Sequence, residues 1–364
     1  MSPQVDEDLF EVLHSGYIGQ GAKVDEFEAA LAKYLGTPYV VTVNSGTSAL
    51  HLAYRLAGIG PGDDVISTPM TCQATNQPLL ERGARIAWAD INPRTGNISP
   101  ESVFETAFDL PRLKAIVAVH WGGMPCDLNG LRVFADNLEV PLIEDCAHAF
   151  GAEYNGAKIG SIGGRFRCFS FQAIKMLTTV DGGLLVCENE DDYKRAKLLR
   201  WYGMDREDKT RLELRCEKDV AEHGYKFHMN DIGATIGLAN LYHVPDLLGH
   251  TRENARYYDN ELVRRKIRRV EHTDRTPGAV PSFWLYTVLV DEPGVFIAFM
   301  RSRGVHTSHV HVRNDIHSCF AASAAQLPGV DEFARHQVSV PVGWWVDMDD
   351  REKVMDAITE YDSI

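Results

Sequence analysis

The chain has 364 residues, of which 45% are hydrophobic and 24% charged, so it is long enough for a sizeable core and two subdomains. Its formal net charge of −14 argues against a general binder of nucleic acids or anionic membranes. No apolar run approaches the roughly 20 residues of a membrane span, and the acidic N-terminus lacks a signal-peptide core, so we expect a cytoplasmic protein.

The first half of the chain alternates between short apolar runs and amphipathic stretches. A helix is predicted at 24–35, where apolar residues recur at helical spacing until Gly36-Thr37-Pro38 ends them. Between about 39 and 188 seven strands are predicted, with helical stretches between most of them: YVVTV, VIST, RIAWAD, KAIVAVH, VPLIED, FRCFSF and GLLVCEN. This alternation predicts an α/β fold with a mostly parallel sheet that is covered on both faces.

Residues capable of chemistry stand where several of these strands end. They are Asn44–Thr47, His120, Asp145 and Ser170. Because ligands of open α/β sheets bind at the carboxyl ends of the strands, we expect a ligand site at this edge.

The pattern changes in the second half of the chain. Residues 205–223 are strongly hydrophilic and predict an exposed loop, and 229–244 predict a helix with small residues. The remaining elements are sparser: a long amphipathic helix from Arg252, strand WLYTVLV, helix 293–303, strand GVHTS and helix 349–361. We therefore divide the chain into a large α/β domain with an N-terminal arm, 1–245, and a smaller α+β domain, 246–364.

Lys175 lies four residues beyond the strand FRCFSF and is flanked by Ile174 and Met176. Poor hydration disfavours the ammonium form, so we expect the pKa of this lysine to lie below its usual value of about 10.4. Schiff-base chemistry needs a neutral lysine amine, and a pyridinium nitrogen needs an acid such as Asp145, at another strand end, as its partner. Taken singly, Lys175 also suits a solvated loop and Asp145 a helix cap.

Together these residues resemble the DegT/DnrJ/EryC1/StrS family of pyridoxal-phosphate (PLP) sugar aminotransferases. The residues that match are Glu144-Asp145, Ala147, Ala149, Gly151, Gly160-Ser161, Gly163, Phe169-Ser170-Phe171, Lys175 and Gly182-Gly183. Similar segments extend over nearly the whole chain. The resemblance implies a fold-type I PLP-dependent transferase with a seven-stranded, mostly parallel sheet in the large domain and a smaller α+β C-terminal domain.

The resemblance also implies roles for residues of the site. Lys175 would be the catalytic residue, which carries the cofactor as a Schiff base and moves the proton when free. Asp145 would pair with the pyridine nitrogen. Gly46, Thr47 and Ser170 match the residues that hold the cofactor phosphate, and the free amides of a helix N-terminus suit that task; without the resemblance, the serine before this helix reads simply as a cap.

Three further cofactor-binding positions depart from the family pattern. His148 stands where the family usually has a glutamine that contacts the ring hydroxyl, and a histidine can also titrate. Cys72 takes a place commonly filled by an aromatic or other bulky residue that stacks on the ring. Lys226 replaces an asparagine that reaches the neighbouring subunit's phosphate site, which implies a homodimer with shared active sites; the alternative is a solvated loop lysine.

The stretch 304–318 is rich in histidine. His309 and His311 on one strand face would suit a metal, but no acid or cysteine completes the set, so we expect no metal. The resemblance places this segment at the mouth of the site. There Arg313, a bidentate donor for phosphate or carboxylate, is the preferred substrate contact, and His311 is the second.

The cysteines point to the compartment. All seven are scattered and none is in CxxC spacing: 72, 126, 146, 168, 187, 216 and 319. This usage favours thiols in a reducing compartment over disulfides or a zinc site.

We therefore predict a PLP-dependent transaminase (EC 2.6.1 class) that moves an amino group from L-glutamate, which leaves as 2-oxoglutarate, to a nucleotide-linked keto-deoxy sugar. One alternative is an aminotransferase for a non-nucleotide ketone, such as a cyclitol or a small phosphorylated ketone. A PLP-dependent sugar dehydratase is less favoured, since the 3-deoxygenating branch has histidine in place of Lys175. A PLP-fold regulatory protein would usually carry a DNA-binding segment, and none is visible. An NAD enzyme would need G-x-G-x-x-G after a strand.

Overall fold

The structure, a computed structural model, describes residues 1–206 and 219–364. Part of the predicted loop 205–223, including Cys216, therefore lies outside the described residues. The helices are α1 Val5–His14, α2 Ala22–Leu35, α3 Gly46–Leu56, α4 Gln73–Glu81, α5 Pro100–Ala107, α6 Leu128–Asn137, α7 Glu190–Leu199, α8 Asp231–Leu241, α9 Val244–Arg264, α10 Pro293–Ser302, α11 Pro328–His336 and α12 Met348–Asp362. The strands are β1 Val40–Val43, β2 Asp64–Ser67, β3 Arg85–Trp88, β4 Leu113–Val119, β5 Leu142–Asp145, β6 Glu153–Tyr154, β7 Ala157–Lys158, β8 Phe166–Ser170, β9 Gly183–Cys187, β10 Val270–His272, β11 Ala279–Val280, β12 Tyr286–Val290 and β13 Gln337–Val340.

The main sheet has seven strands in the order β1-β9-β8-β5-β4-β2-β3. The neighbouring pairs β5–β8, β4–β5, β2–β4 and β2–β3 are parallel, and β9 runs antiparallel to both β1 and β8. All seven predicted strands are present, so the seven-stranded, mostly parallel sheet and the α/β fold class are confirmed.

Helices cover both faces of this sheet, because its strands are apolar on both sides. Every residue of β1, β2, β5 and β9 is buried. Phe27 and Leu31 of α2 are fully buried against one face, and burying side chains of this size stabilises the fold by about 1.5–3 kcal/mol each. The small residues of α8 have a packing reason: a Cβ on Gly237 would lie 2.4 Å from the ring of Phe27.

The register of the sheet brings the candidate residues to one edge. Asp145 of β5 pairs with Val119 of β4 and with Cys168 of β8. Ser170, the last residue of β8, pairs with Gly183, which also pairs with Val43 at the end of β1. The ends of four strands therefore meet, and they position the site.

The C-terminal part contains a second sheet with the order β10-β12-β13, packed with α9, α10 and α12 around a core of its own. The division at 245/246 falls in the first turn of α9 and stays a prediction. Short strands β11, β6 and β7 form a third sheet. In the described parts of the chain, no helix is both long and apolar enough to cross a bilayer.

The prediction of a strand at GVHTS, residues 304–308, is wrong. Only an isolated bridge forms there, between Ser308 and Ser339 of β13. Instead, β13, which was not predicted, pairs with β12 and forms the edge of this sheet. Beyond Ser308 the chain turns away from β13, and Asn314 forms hydrogen bonds with the loop after β2.

Candidate active site

Two sets of residues face each other at the strand ends. We call Gly46, Thr47, Asp145, Ser170 and Lys175 the sheet wall. We call residues 282–285 and 309–314, which cross over from the C-terminal part, the crossing wall.

Asp145 is the buried acid of the sheet wall, with 5% of its surface exposed. One carboxylate oxygen accepts a hydrogen bond from Thr75 Oγ1 at 2.7 Å, and the other accepts one from the amide of Ala147 at 3.0 Å. Each oxygen retains capacity to accept from a cationic N–H. Thr75, on α4, was missed by the sequence analysis, because nothing in its local pattern marks a contact 70 residues away.

The start of α3 and the end of β8 form a cup for an anion. Ser45 caps α3 by accepting a hydrogen bond from the amide of Ser48 at 3.0 Å. The first amides of the helix, including those of Gly46 and Thr47, have no acceptor within it. A Cβ on Gly46 would lie 2.8 Å from Cβ of Ser170. Glycine is therefore needed for the helix to begin this close to the serine, and the cup suits a phosphate.

Lys175 lies in a turn after β8 that is closed by a hydrogen bond from the Thr179 amide to the Phe171 carbonyl at 2.9 Å. Burial lowers the pKa of its amine to about 8, while the charges of Asp145 and Cys72 act in the opposite direction. This is the direction predicted from the sequence. Asp145 and Cys72 are therefore close enough to Lys175 for their charges to act on its amine.

Three rings stack in the crossing wall and on its border. The ring of His148, a buried residue, lies 3.8 Å from that of Trp284 at an angle of 18°, and 5.3 Å from that of His311 at 5°. Nε2 of His311 lies 3.4 Å from Nε2 of His148. Burial, followed by the charge of Lys175, lowers the pKa of His148 well below its usual value and that of His311 to about 4. Both rings are therefore neutral at pH 7.

His148 also has an unused hydrogen-bonding atom. Its Nδ1 is buried and has no partner among the residues that the structure describes. Unpartnered buried polar atoms are uncommon in native proteins, so this nitrogen is available to a bound molecule. Trp284 was not among the predicted site residues, because its indole reaches the site through contacts with residues far away in the chain.

Asn314 holds the crossing wall against the large sheet. It is fully buried; its amide nitrogen Nδ2 donates to the Thr71 carbonyl at 2.8 Å, and its Oδ1 accepts from Asn76 at 2.8 Å. The neighbouring Arg313 is already paired with two carboxylates. Its guanidinium is hydrogen-bonded to Asp315 at 2.7 Å and also to Asp331, and both carboxylates raise its pKa.

The remaining predicted positions surround the two walls. Cys72 is exposed at the N-terminus of α4. Lys226 is exposed, and its carbonyl accepts a hydrogen bond from Asn44 at 3.2 Å, beside the start of α3. His309 contacts Gln337 at 3.2 Å, whereas His311 faces His148, so these two histidines have different partners.

A buried cluster of potential metal ligands lies behind the site: His120, Glu144 and Cys146, whose ligand atoms lie within 4.8 Å of one another. Nδ1 of His120 accepts from the amide of Cys126 at 3.0 Å, so its proton is on Nε2, which lies 2.9 Å from Glu144. Neither ring nitrogen has a lone pair left for a metal. His120, expected at the ligand edge, instead forms a hydrogen bond of the core.

This chain is similar to known sugar aminotransferases over nearly its whole length. The family model of the DegT/DnrJ/EryC1/StrS aminotransferase family matches residues 2–359. The spore coat polysaccharide biosynthesis protein SpsC of Bacillus subtilis is 31% identical over 97% of this chain and 93% of its own length. The crystal structure of the sugar aminotransferase CalS13 from Micromonospora echinospora superposes with a TM-score of 0.92 at 42% identity, covering 99% of this chain and 97% of that one. AtS13 from Actinomadura melliaura gives 0.92 at 44% identity, covering 99% and 96%.

Proposed function

The chain belongs to the DegT/DnrJ/EryC1/StrS aminotransferase family, and from that premise we propose that it transfers the amino group of L-glutamate to a nucleotide-linked keto-deoxy sugar. It is a PLP-dependent transaminase of fold type I, in a family of sugar aminotransferases. One observation carries the proposal for this chain. At the ends of the strands, the buried acid Asp145 is close enough for its charge to act on the amine of Lys175, whose pKa is lowered by burial.

The residues of the site fit pyridoxal phosphate. Nδ1 of His148 is a buried atom without a partner, and Gly46 leaves room where a Cβ would collide with Ser170. We propose that Gly46, Thr47 and Ser170 hold the phosphate and that His148 contacts the ring hydroxyl. Asp145, already oriented by Thr75, would hold the proton on the ring nitrogen.

PLP, when bound, supplies a ring that withdraws electrons from the carbon that carries the amino group. The chain would supply the rest. Lys175 would anchor the cofactor, and its Nζ, when free, would take and return the proton, since a pKa near 8 leaves a useful fraction of both forms at neutral pH. The stacked rings of His148 and Trp284 would exclude water from one side of Lys175.

For the sugar side, the crossing wall supplies the candidates. His311 already faces His148 at 3.4 Å, so we propose it as a substrate contact. To bind the substrate, Arg313 would have to release Asp315 or Asp331 and pair with an anionic group of the substrate instead. The competition makes Arg313 the second choice here, although its fork geometry suits a phosphate.

We propose that the enzyme is a homodimer in which Lys226 reaches the partner subunit's phosphate cup. Two features support this. Lys226 is exposed, and α1 with the turn after it exposes large apolar side chains: Phe10 66%, Leu13 53%, Tyr17 81% and Ile18 49%. Apolar side chains grouped on a surface in this way are typical of protein–protein contacts. Sedimentation of the purified protein would give the subunit number.

We also propose that the reaction takes place in the cytoplasm. The cysteines within residues 1–206 and 219–364 are free thiols: Cys72, Cys126, Cys146, Cys168, Cys187 and Cys319. Free buried thiols suit a reducing compartment. Fractionation of the native host, with detection of the protein in each fraction, tests this.

The decisive experiment supplies the enzyme with ¹⁵N-labelled glutamate and a panel of acceptors, and detects the labelled product by mass spectrometry. The panel contains nucleotide-linked keto-deoxy sugars, free keto sugars, a keto-cyclitol and a small phosphorylated ketone. We expect label only in a nucleotide-linked sugar. Label only in a simple ketone would replace the proposed acceptor. Loss of a hydroxyl without label would indicate a dehydratase, and no reaction with any acceptor would contradict the proposal.

A further inference from the structure

The ring of Trp284 contacts the amine of Lys175. Nζ lies 3.7 Å from the centroid of the indole ring. A lysine ammonium within about 6 Å of an indole face is attracted by the quadrupole of the ring, and the attraction is strongest where water is excluded. The same indole stacks on His148 at 3.8 Å. Trp284 therefore contacts both the lysine and a buried wall of the site.

The indole is fixed to the turn that carries the lysine. Its Nε1–H donates a hydrogen bond to the carbonyl of Ile174, the residue before Lys175, at 2.9 Å. This bond ties the crossing wall to the sheet wall at the lysine itself.

The backbone around Trp284 is held in an uncommon conformation. Phe283, just before it, has a φ of +53°, which is rare for a bulky residue and persists only where the surroundings enforce it. Hydrogen bonds on either side do so: Ser282 Oγ donates to the carbonyl of His148 at 2.7 Å, and the amide of Leu285 donates to Gly122 at 3.1 Å. The ring of Phe283 packs against Tyr286 and Arg275 in the C-terminal part. The left-handed residue thus lets Phe283 and Trp284 face different parts of the molecule.

We propose that Trp284 is a positioning residue for Lys175, whose indole face holds the free ammonium while the lysine is not bonded to the cofactor. The inference rests on the proposed role of Lys175. It adds a second partner to that role: burial favours the neutral amine, and the indole favours the ammonium. The balance between the two keeps both forms of the amine available.

Other charged or titratable groups face this amine, and all of them remain present in the variants that the test compares. Asp145 and Cys72 favour the ammonium form. His148 and His311 are both close enough for the charge of Lys175 to lower their pKa. None of them is substituted in a Trp284 variant, and both histidines stay neutral between pH 6 and 11, so a change in the titration of Lys175 reports on the loss of the indole.

The test measures the pKa of Lys175 by trace acylation with acetic anhydride between pH 6 and 11, with the labelled peptide quantified by mass spectrometry. It uses the full chain loaded with pyridoxamine phosphate, in which the lysine is free, and the cofactor-free chain. Trp284→Leu should lower the apparent pKa by about one unit, which is the size of a desolvated cation–π contact. Trp284→Phe should restore part of that shift, because phenylalanine is a weaker π partner.

Trp345→Leu is the matched control, because Trp345 is 63% exposed and lies in the loop before α12. It should leave the pKa of Lys175 unchanged. An unchanged or raised pKa in Trp284→Leu would overturn the inference, since it would mean that the indole acts by burial alone. If Trp284→Leu does not fold, the smaller shift in Trp284→Phe decides in the same way. Failure of amine transfer by the unmodified enzyme would contradict the proposed function and leave this titration interpretable in the cofactor-free chain.

Discussion

The two walls of the site are built by different means. The sheet wall stands at the ends of β5 and β8, at the start of α3 and in the turn after β8, so backbone pairing fixes Asp145 and Ser170 whatever their side chains are. The crossing wall is irregular, and side chains hold it. Asn314 anchors one of its segments and Ser282 the other.

This difference means that the two walls can serve different purposes. A wall set by backbone register can hold catalytic groups to the accuracy that chemistry needs, whereas a wall held by a few side chains can change its lining without loss of the fold. We therefore expect substitutions in the sheet wall to affect turnover or cofactor binding strongly, and substitutions in the crossing wall to have smaller effects.

Lys175→Ala should have the largest effect. Turnover should fall by about 10³-fold or more, because the variant lacks both the anchoring amine and the proton carrier. The mass increase that borohydride produces by fixing the cofactor to the chain should also disappear. Lys194→Ala is the control, since Lys194 is exposed on α7 and pairs with Glu190 at 2.7 Å. A Lys175→Ala enzyme with normal turnover would disprove the assignment of the catalytic residue.

Asp145 and Glu144 are neighbours on β5 and make a sharper comparison. Asp145→Asn should reduce turnover by about 100-fold, the usual cost of losing one electrostatic partner. Stability should change little, because the amide oxygen can still accept from Ala147 and the Thr75 hydroxyl can turn to accept from the new amide group.

Glu144 accepts hydrogen bonds from His120 and from the amide of Gly164. In Glu144→Gln the new NH2 group must face one of these two N–H donors, and neither donor can accept a hydrogen bond from it. The variant should therefore lose about 1–3 kcal/mol of unfolding free energy.

Kinetics and urea unfolding of both variants separate the two roles. We expect a loss of turnover in one and a loss of stability in the other. If Glu144→Gln were as inactive as Asp145→Asn at full stability, the acid of the site would be misassigned.

Gly46→Ala tests the phosphate cup. The added methyl group would lie 2.8 Å from Cβ of Ser170, so α3 must shift away from β8. We expect the dissociation constant of PLP, measured by absorbance titration, to rise about tenfold, since a shift of this kind typically costs about 1–3 kcal/mol. Gly249→Ala in α9 is the control, because among the described residues nothing beyond its own stretch of helix lies within 4 Å of the added Cβ. Equal affinities for PLP would exclude Gly46 from the cup.

The same contrast between the walls explains what could be predicted from the sequence. The positions of Asp145 and Ser170 at strand ends could be predicted, because each ends an apolar run that marks a buried strand. His120 ends such a run too, but its ring points into the core and forms a hydrogen bond with Glu144. The sequence pattern does not show whether a side chain at a strand end points into the core or into the site. Thr75 and Trp284 depend on contacts between distant segments and on the left-handed backbone of Phe283, and no local pattern encodes them.

The predicted effect at His311, in the crossing wall, appears in stability at low pH. Burial and the charge of Lys175 lower the pKa of this histidine to about 4 in the folded chain, whereas an unfolded chain holds it at about 6.5. Between these values the unfolded chain binds more protons, so this histidine makes the protein less stable as the pH falls from 6.5 to 4. His311→Gln should make the slope of unfolding free energy against pH shallower by at most about 1.4 kcal/mol per pH unit. Urea unfolding at several pH values measures the slope, and His250→Gln, at an exposed position in α9, controls for the loss of a histidine. An unchanged slope would mean that His311 titrates alike in both states, and therefore that the crossing wall opens to water before the sheet wall unfolds.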